Sequence, residues 1–451
     1  MCAPQNCHSN NYHEPLKSEI KQLAKTDEWV KDFDFDAFAA DMKHLGDTLE
    51  KNQGPADVAH LNKMILWSNL CGFMGALTMG LGINPIAIIS LSTYTFTRSY
   101  MIAHTTCHGG YDKVHPNKSR WNRFRFAAGG LHKRLYDWFD WMMPEAWSVG
   151  HNNRHHYCLS EEKDPDLVEK NSDMRDIDVP TFVKWMAVPL LVSTFKWFYV
   201  APNTYKELKM AKWRKVGKKI PQDVVESDSV SLRVVLSSTG TPFYSAWELF
   251  TVVMGPYFII HFFLFPLPLL ALGEYLGVGW TMYFSAVKNL FFADLLTNIH
   301  AFVAGATNHA GDDMYRFRDS CRPFSGSFYL RAVLASVDFN TGSDLNDFLH
   351  GYMNYQIEHH MWPSLSMLSY QRAQPLVKEL CKKHGVPYVQ ENVLKRVKKT
   401  VDIMTGDTSM RWFPQEYEQK FLERDAALLA AKKSKRGSQL LSDKCMDAAY
   451  E

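Results

Sequence analysis

The sequence has no CxxC pair and no dense cysteine framework. Its eight cysteines (Cys2, Cys7, Cys71, Cys107, Cys158, Cys321, Cys381 and Cys445) are scattered, which excludes the disulfide scaffold of a small secreted domain and points to reduced thiols facing a cytosol. A dominant charge is missing too: 50 basic against 48 acidic residues leave a net of +2, and nothing in that balance calls for nucleic acid. The opening residues, MCAPQNCHSNNYHEPLKSEIKQL, have neither the basic start nor the apolar core of a secretory signal, so the first spanning helix is expected to direct insertion itself. No internal repeat is present.

What the sequence does have is an uneven distribution of apolar residues. A chain of 451 residues suits two or three soluble domains or a membrane domain with polar tails, and the clustering of its 22% charged residues beside apolar runs favours the second. Residues 14 to 62 are charged throughout, with Leu16, Ile20, Leu23 and Ala24 at helical spacing, and read as a cytosolic helical leader. From Met64 to Ala103 the chain is mostly apolar and is interrupted by GLGINP; at about 20 residues per crossing this is a hairpin of two spans. The segment from Tyr111 to Pro180 is polar, with Lys113, Lys118, Arg120, Arg123, Arg125, Lys133 and Arg134 near its start, and is cytosolic by the positive-inside rule. A shorter apolar run, Phe182 to Val200, holds Lys184 and Lys196 near its ends, and reads as a span with snorkelling lysines or as an interfacial helix. After the basic stretch Lys206 to Lys219, the runs Leu249 to Leu272 and Val278 to Ala306 make a second hairpin. The expected fold is an all-α membrane protein of about four transmembrane helices with a cytosolic helical cap. Its expected parts are a leader (1–62), a membrane domain (63–388) and a C-terminal tail (389–451), disordered around Lys432 to Gln439.

Histidine is the informative residue, because many of the 18 fall in clusters at ligand spacing. His104 and His108 stand in AHTTCHGG at the end of the second expected span; four apart, they share one helix face. HNNRHH supplies His151, His155 and His156, where the i and i+4 pair aligns and the adjacent histidine points to a second metal. QIEHH supplies Gln356, His359 and His360, and TNHAGDD places Asn308 and His309 just beyond the last span. One HxxxH alone reads as readily as a capping or interfacial pair, but several clusters on one expected side of a membrane point to metal. Neutral imidazoles suit zinc, copper, iron or nickel, and eight candidate ligands are too many for one four-coordinate zinc. Thr105 stands where a zinc protease would carry the glutamate of HExxH. Two irons are the economical choice, able to activate oxygen against an unactivated C–H bond.

With these motifs the sequence resembles the membrane fatty acid desaturases with three histidine boxes, of the front-end type whose third box begins with glutamine. The resemblance covers Leu66 to Tyr388 and is most specific over FLHGYMNYQIEHHMWPSLSMLSYQRAQPLVKELCKKHGVPY. It implies that His104, His108, His151, His155, His156, His309, His359 and His360 are iron ligands, and that Gln356 takes a ligand position, binding weakly or through water. It also implies that Asp164 and Asp166 orient histidines; the alternative is a proline turn with acidic caps. Asn308 is expected either to hold a metal-bound water or to cap a helix. Many front-end enzymes carry a fused cytochrome b5 with an HPGG motif; here His115 and Pro116 are followed by Asn117 and Lys118, so electrons are expected from a separate cytochrome b5 or ferredoxin.

The function this implies is oxygen-dependent desaturation of a fatty acyl lipid or acyl-CoA, in a multi-pass protein of the endoplasmic reticulum or a plastid membrane. A lipid or sterol hydroxylase or epoxidase with the same iron chemistry is the alternative, and a metal-free scaffold is a third. Trp138, Trp141 and Trp147 are expected in an interfacial belt, with the wall of a substrate tunnel as the alternative; His300 is expected in a contact between helices, with a further metal ligand as the alternative, and His350 in a structural role. Gly109 and Gly110 are expected to allow close backbone approach or to end the helix.

Overall fold

The computed structural model describes residues 23–115, 119–128, 131–138, 143–221 and 224–435, and these are predominantly helical. Four two-residue strands pair in parallel, Tyr315–Arg316 with Arg411–Trp412 and Asp338–Phe339 with Gln390–Glu391. The all-helical expectation is thus met apart from two short ladders, each tying a C-terminal segment to the body of the fold.

Helices form where the apolar runs predict, and their ends are set by capping. Gly54 and Pro55 start the helix Pro55–Thr78, and Asn84, accepting from the Ala87 amide at 2.8 Å, starts a continuous helix over 85–107 with Pro85 in its first turn. The intervening GLGINP turn is held by Asn289 of the long helix Thr281–Gly305, which accepts from the Asn84 amide at 3.0 Å and donates to the Met79 carbonyl at 2.8 Å. A fully buried amide inside an apolar helix thereby finds partners on the turn it packs against.

Among the described residues one helix, Ala246–Tyr275, is long and apolar enough to cross a membrane. The other expected crossings are helices at their expected places, but they carry polar residues such as Asp57, Arg98 and Asp294, all buried. An outward belt of exposed apolar side chains, including Leu70, Phe73, Ile86, Phe263, Phe284 and Phe291, runs over four of these helices.

The run after Pro180 is broken in two and does not form one spanning helix, while the exposed Phe182, Met186 and Leu190 of its first part suit the interfacial reading. It forms the helix Thr181–Ser193, a short break, and a helix continuing through Lys196 to Lys215. Neither lysine snorkels. Lys184 donates to the Arg175 and Thr405 carbonyls at 2.9 and 3.1 Å. Lys196 is 2% exposed and pairs with Asp294 at 2.9 Å, where Tyr257 and the Trp197 indole also donate to the same carboxylate at 2.7 and 3.0 Å. A buried lysine needs such a partner set, because desolvation of an unpaired ammonium is far costlier than the loss of an exposed pair.

The expected domain borders fall inside packed structure. The helix Pro55–Thr78 runs through the 62/63 border, and Phe35, Phe38 and Met42 of the leader helix Phe35–Lys51 share a buried core with Tyr329, Trp362 and Tyr370. Beyond residue 389, the helices Val393–Thr405 and Gln415–Lys435 pack against the body. The tail expected to be disordered lies partly in the second of these helices, and its residues from 436 onward lie outside the described residues.

Candidate metal centre

Eight histidines from four chain segments converge. The ligand nitrogens of His104, His108, His151, His156 and His359 lie within 4.8 Å of one another, as do those of His155, His309 and His360. The two groups adjoin, with the rings of His156 and His360 stacked at 4.3 Å.

The division within HNNRHH differs from the sequence expectation. His151 shares a group with His156, five residues on, and it is His155 that joins the other group. The cause is local backbone geometry: Ser148–His155 is a π-helix, closed by a bond from the His156 amide to the His151 carbonyl at 3.2 Å. A wider turn brings i and i+5 into line where an α-turn would align i and i+4. In the helix Gln356–Met361, ordinary α geometry puts Gln356 and His360 on one side with His309, while His359 faces the five-histidine group.

Three of the rings are aimed by their outer nitrogens. His155 Nδ1 lies 2.9 Å from Asp164 Oδ1, His359 Nδ1 lies 3.1 Å from the Tyr370 hydroxyl, and His309 Nδ1 lies 3.4 Å from the Ala335 carbonyl. Such contacts fix which nitrogen faces the centre. Asp164 is itself held, accepting from the Ser160 and Asp166 amides at 2.8 Å each, so the acidic turn and the orienting role are one structure. Asp166 Oδ2 stands 3.6 Å from Nδ1 of both His151 and His155.

The inward nitrogens crowd one another. His104 Nε2 lies 2.9 Å from His151 Nε2, His151 Nε2 lies 3.3 Å from His156 Nε2, and His309 Nε2 lies 3.3 Å from His360 Nε2. The buried Nε2 atoms of His108 and His359 have no hydrogen-bond partner. Burial, reinforced by neighbouring imidazoles, holds His108, His151, His156, His309, His359 and His360 well below the ordinary histidine range and so keeps them neutral, as ligands must be. His155 is the exception: burial pulls it down, but the Asp164 and Asp166 carboxylates outweigh burial and push it up to about 8. Converging and chiefly neutral imidazoles, three of them anchored from behind, suit transition-metal ions, and on this donor set the residues fit a pair of them.

Gln356 and Asn308 sit beside the three-histidine group. The Gln356 amide nitrogen lies 2.8 Å from His309 Nε2 and 3.1 Å from His360 Nε2, while its buried oxygen has no partner; a half-turn of the amide would offer that oxygen instead. Asn308 donates to the Ala304 and Met353 carbonyls at 3.1 and 3.2 Å, as a cap does, and its Oδ1 is buried and unpartnered.

A cavity of about 200 Å³ runs past the histidines, with His104, His151, His155 and His309 in its wall. Its lining is chiefly apolar and aromatic, drawn from Tyr100, Trp138, Phe195, Phe198, Phe302 and Met353. Trp138 and Trp147 are buried in this wall and not in an interfacial belt, and Trp147 stacks on His151 at 4.6 Å; Trp141 lies outside the described residues. His300 bonds the Leu349 carbonyl at 2.6 Å and stacks on Phe96, and His350 bonds the Asn346 carbonyl at 2.8 Å, so both serve contacts between or within helices. Gly109 ends the first histidine helix with φ of +82°, and a side chain at Gly110 would collide with the Leu365 carbonyl, so both expected glycine roles are present.

Tyr370 and Arg396 were not singled out by spacing or motif. Tyr370 reaches His359 from eleven residues away, and Arg396 grips the loop that carries His309. Both contacts exist only once separate helices have packed.

Known proteins give the same direction. A stretch of 76 residues is 38% identical to the fatty acid desaturase 2-like protein FADS2B of Mus musculus, covering 17% of this chain and 15% of that protein. Another of 86 residues is 31% identical to the Delta(5) fatty acid desaturase A of Dictyostelium discoideum, covering 18% of each. One of 75 residues is 36% identical to the NADPH-dependent stearoyl-CoA 9-desaturase of Mycobacterium tuberculosis, covering 17% of each. The matched stretches thus span less than a fifth of these relatives. No solved structure matches. The sequence profile of the fatty acid desaturases matches residues 81–392, a span that holds more than half of the chain and all eight converging histidines, and the chain therefore belongs to the fatty acid desaturase family.

Proposed function

We propose that this protein introduces a double bond into a fatty acyl chain, using oxygen, external electrons and two irons held by the two histidine groups. The observation that carries the reading is that two adjoining imidazole groups, of five and three, share the wall of an apolar cavity. The irons would be held by His104, His108, His151, His156 and His359 in one group and by His155, His309 and His360 in the other, with Gln356 and Asn308 beside the second. A bound iron pair supplies the oxidising power, from O2, to take hydrogen from an unactivated C–H bond. Two hydrogens leave adjacent carbons and a C=C bond forms; O2 leaves as two waters, having taken two hydrogens with their electrons from the substrate, two electrons from a donor of the cytochrome b5 or ferredoxin class, and two protons from solvent.

The protein's own part is to place and protect. An acyl chain has no polar handle at the reacting carbons, so its register depends on the shape of the cavity, and the rings of Phe195, Phe198, Trp138 and Tyr100 set that shape and exclude water. Asp164 and Tyr370 keep His155 and His359 turned inward. The apolar belt supports immersion in a bilayer with four crossings, and the glutamine-led third box supports the front-end type; the membrane is that of the endoplasmic reticulum or a plastid, as the family reading implies. The substrate is a fatty acyl lipid or acyl-CoA.

Expression in a host lacking polyunsaturated lipids, with mass profiling of all lipids, tests this. The expected result is a new product lighter by two hydrogens, absent with H155A and H359A. A product heavier by one oxygen would instead mark a hydroxylase, and identical profiles from wild type and variants would remove the catalytic reading altogether.

A further inference from the structure

The loop 306–313 leaves the end of the helix Thr281–Gly305, and His309 stands in its middle. The ring is weakly held from behind, since its Nδ1 meets only the Ala335 carbonyl at 3.4 Å. The loop backbone, by contrast, is gripped from both sides. On one, the Val337 amide donates to the Asn308 carbonyl at 3.0 Å. On the other stands Arg396, fully buried, from the helix Val393–Thr405. Its guanidinium donates to the Ala310 carbonyl at 2.7 Å, to both oxygens of Asp313 at 2.8 Å, and weakly to the Thr307 carbonyl at 3.5 Å. Thr400, one turn on, donates to the same two carbonyls at 3.4 Å each. Any side chain at Gly311 would collide with the guanidinium, so the loop is fitted to this cation.

Arg396 lies outside residues 81–392, the span the family profile covers. We infer that Arg396 is a positioning residue for His309, and that the helix Val393–Thr405 is through it a working part of the three-histidine metal group. Only a planar fork can satisfy carbonyls at 307 and 310 and a carboxylate at 313 together; a lysine ammonium has the charge without that reach. With the fork gone, the carbonyls past the helix end lose their donors, the loop relaxes, and the group is left with His155 and His360. The five-histidine group has no residue in this loop and is untouched.

The inference rests on the proposed irons, and the test separates the two. Iron per chain is measured by elemental analysis on the full-length protein purified in detergent, for wild type, R396M, R396K, H309A and the pair R396M/H309A, with R424M as a surface control and thermal unfolding to verify folding. R396M and H309A are each expected to lose about half of the wild-type iron, and the double variant no more than either alone, since both act on one group. R396K is expected to lose iron also and serves in place of R396M should that variant not fold. Wild-type iron content in either folded Arg396 variant, or additive loss in the double variant, overturns the inference. A wild-type protein that holds no iron under conditions that keep it folded overturns the di-iron reading, and this inference with it.

Discussion

At the scale of single residues, the site depends on groups that never face a substrate. Asp164 is 1% exposed and spends one oxygen on His155 and both on neighbouring amides. D164N keeps the shape and removes the charge, and it is expected to lower metal affinity or activity by about 10–100-fold, readable as iron content and as product yield. Y370F is expected to act in the same direction on the five-histidine group through His359. The histidines themselves were legible because motif spacing is a local property. Of the side chains behind them, Asp164 was legible through the family resemblance at the second box. Tyr370 and Arg396 became partners through packing, which no spacing encodes.

At the scale of elements, two features set the geometry of the cavity. The segment Lys196–Val200 is a π-turn with Phe198 and Tyr199 toward the cavity and Lys196 and Trp197 toward Asp294. Removing one partner of that buried pair strands a charge, so D294L is expected to lose about 3–5 kcal/mol in a denaturation measurement, whereas the apolar pair K196M/D294L should recover most of it. The reading of Lys196 as a snorkelling residue failed for this reason: sequence shows a lysine at the end of an apolar run, while its acidic partner lies 98 residues away. The second feature is the grip on the loop at 307–313. Burial would raise the Asp313 carboxyl, but Arg396 and Lys399 outweigh it and hold the group below the ordinary carboxylate range. A depressed folded-state value adds stability that is complete above the unfolded value and is lost as pH falls through the folded one. Protease resistance of this loop is therefore expected to be level across neutral pH and to decline below about pH 4.

At the scale of the whole molecule, the centre joins four distant stretches of chain, so metal and fold are linked. Under the proposed function, iron would bind only the assembled site, which the unfolded chain lacks, so iron at about 100 times its dissociation constant is expected to add about 3 kcal/mol of stability. Chelation is expected to lower the unfolding temperature of wild type and to leave that of H104A/H359A much less affected. The places of the apolar helices and the convergence of the histidines were readable from hydropathy and spacing. The cavity was not, because its wall is assembled from single residues of many segments, and neither was the packing of the helices Phe35–Lys51 and Gln415–Lys435 into one core. The five-residue turn of HNNRHH also bears on how this protein tolerates changes of length. Its extra residue is taken up where it occurs, as an insertion absorbed by a bulge, so deleting Asn153 would let the turn relax to α geometry with His151 and the shifted His156 still aligned. Homologues lacking that residue should therefore offer the same imidazoles to the same ions, and the second box can vary by one residue in evolution without exchanging its ligands.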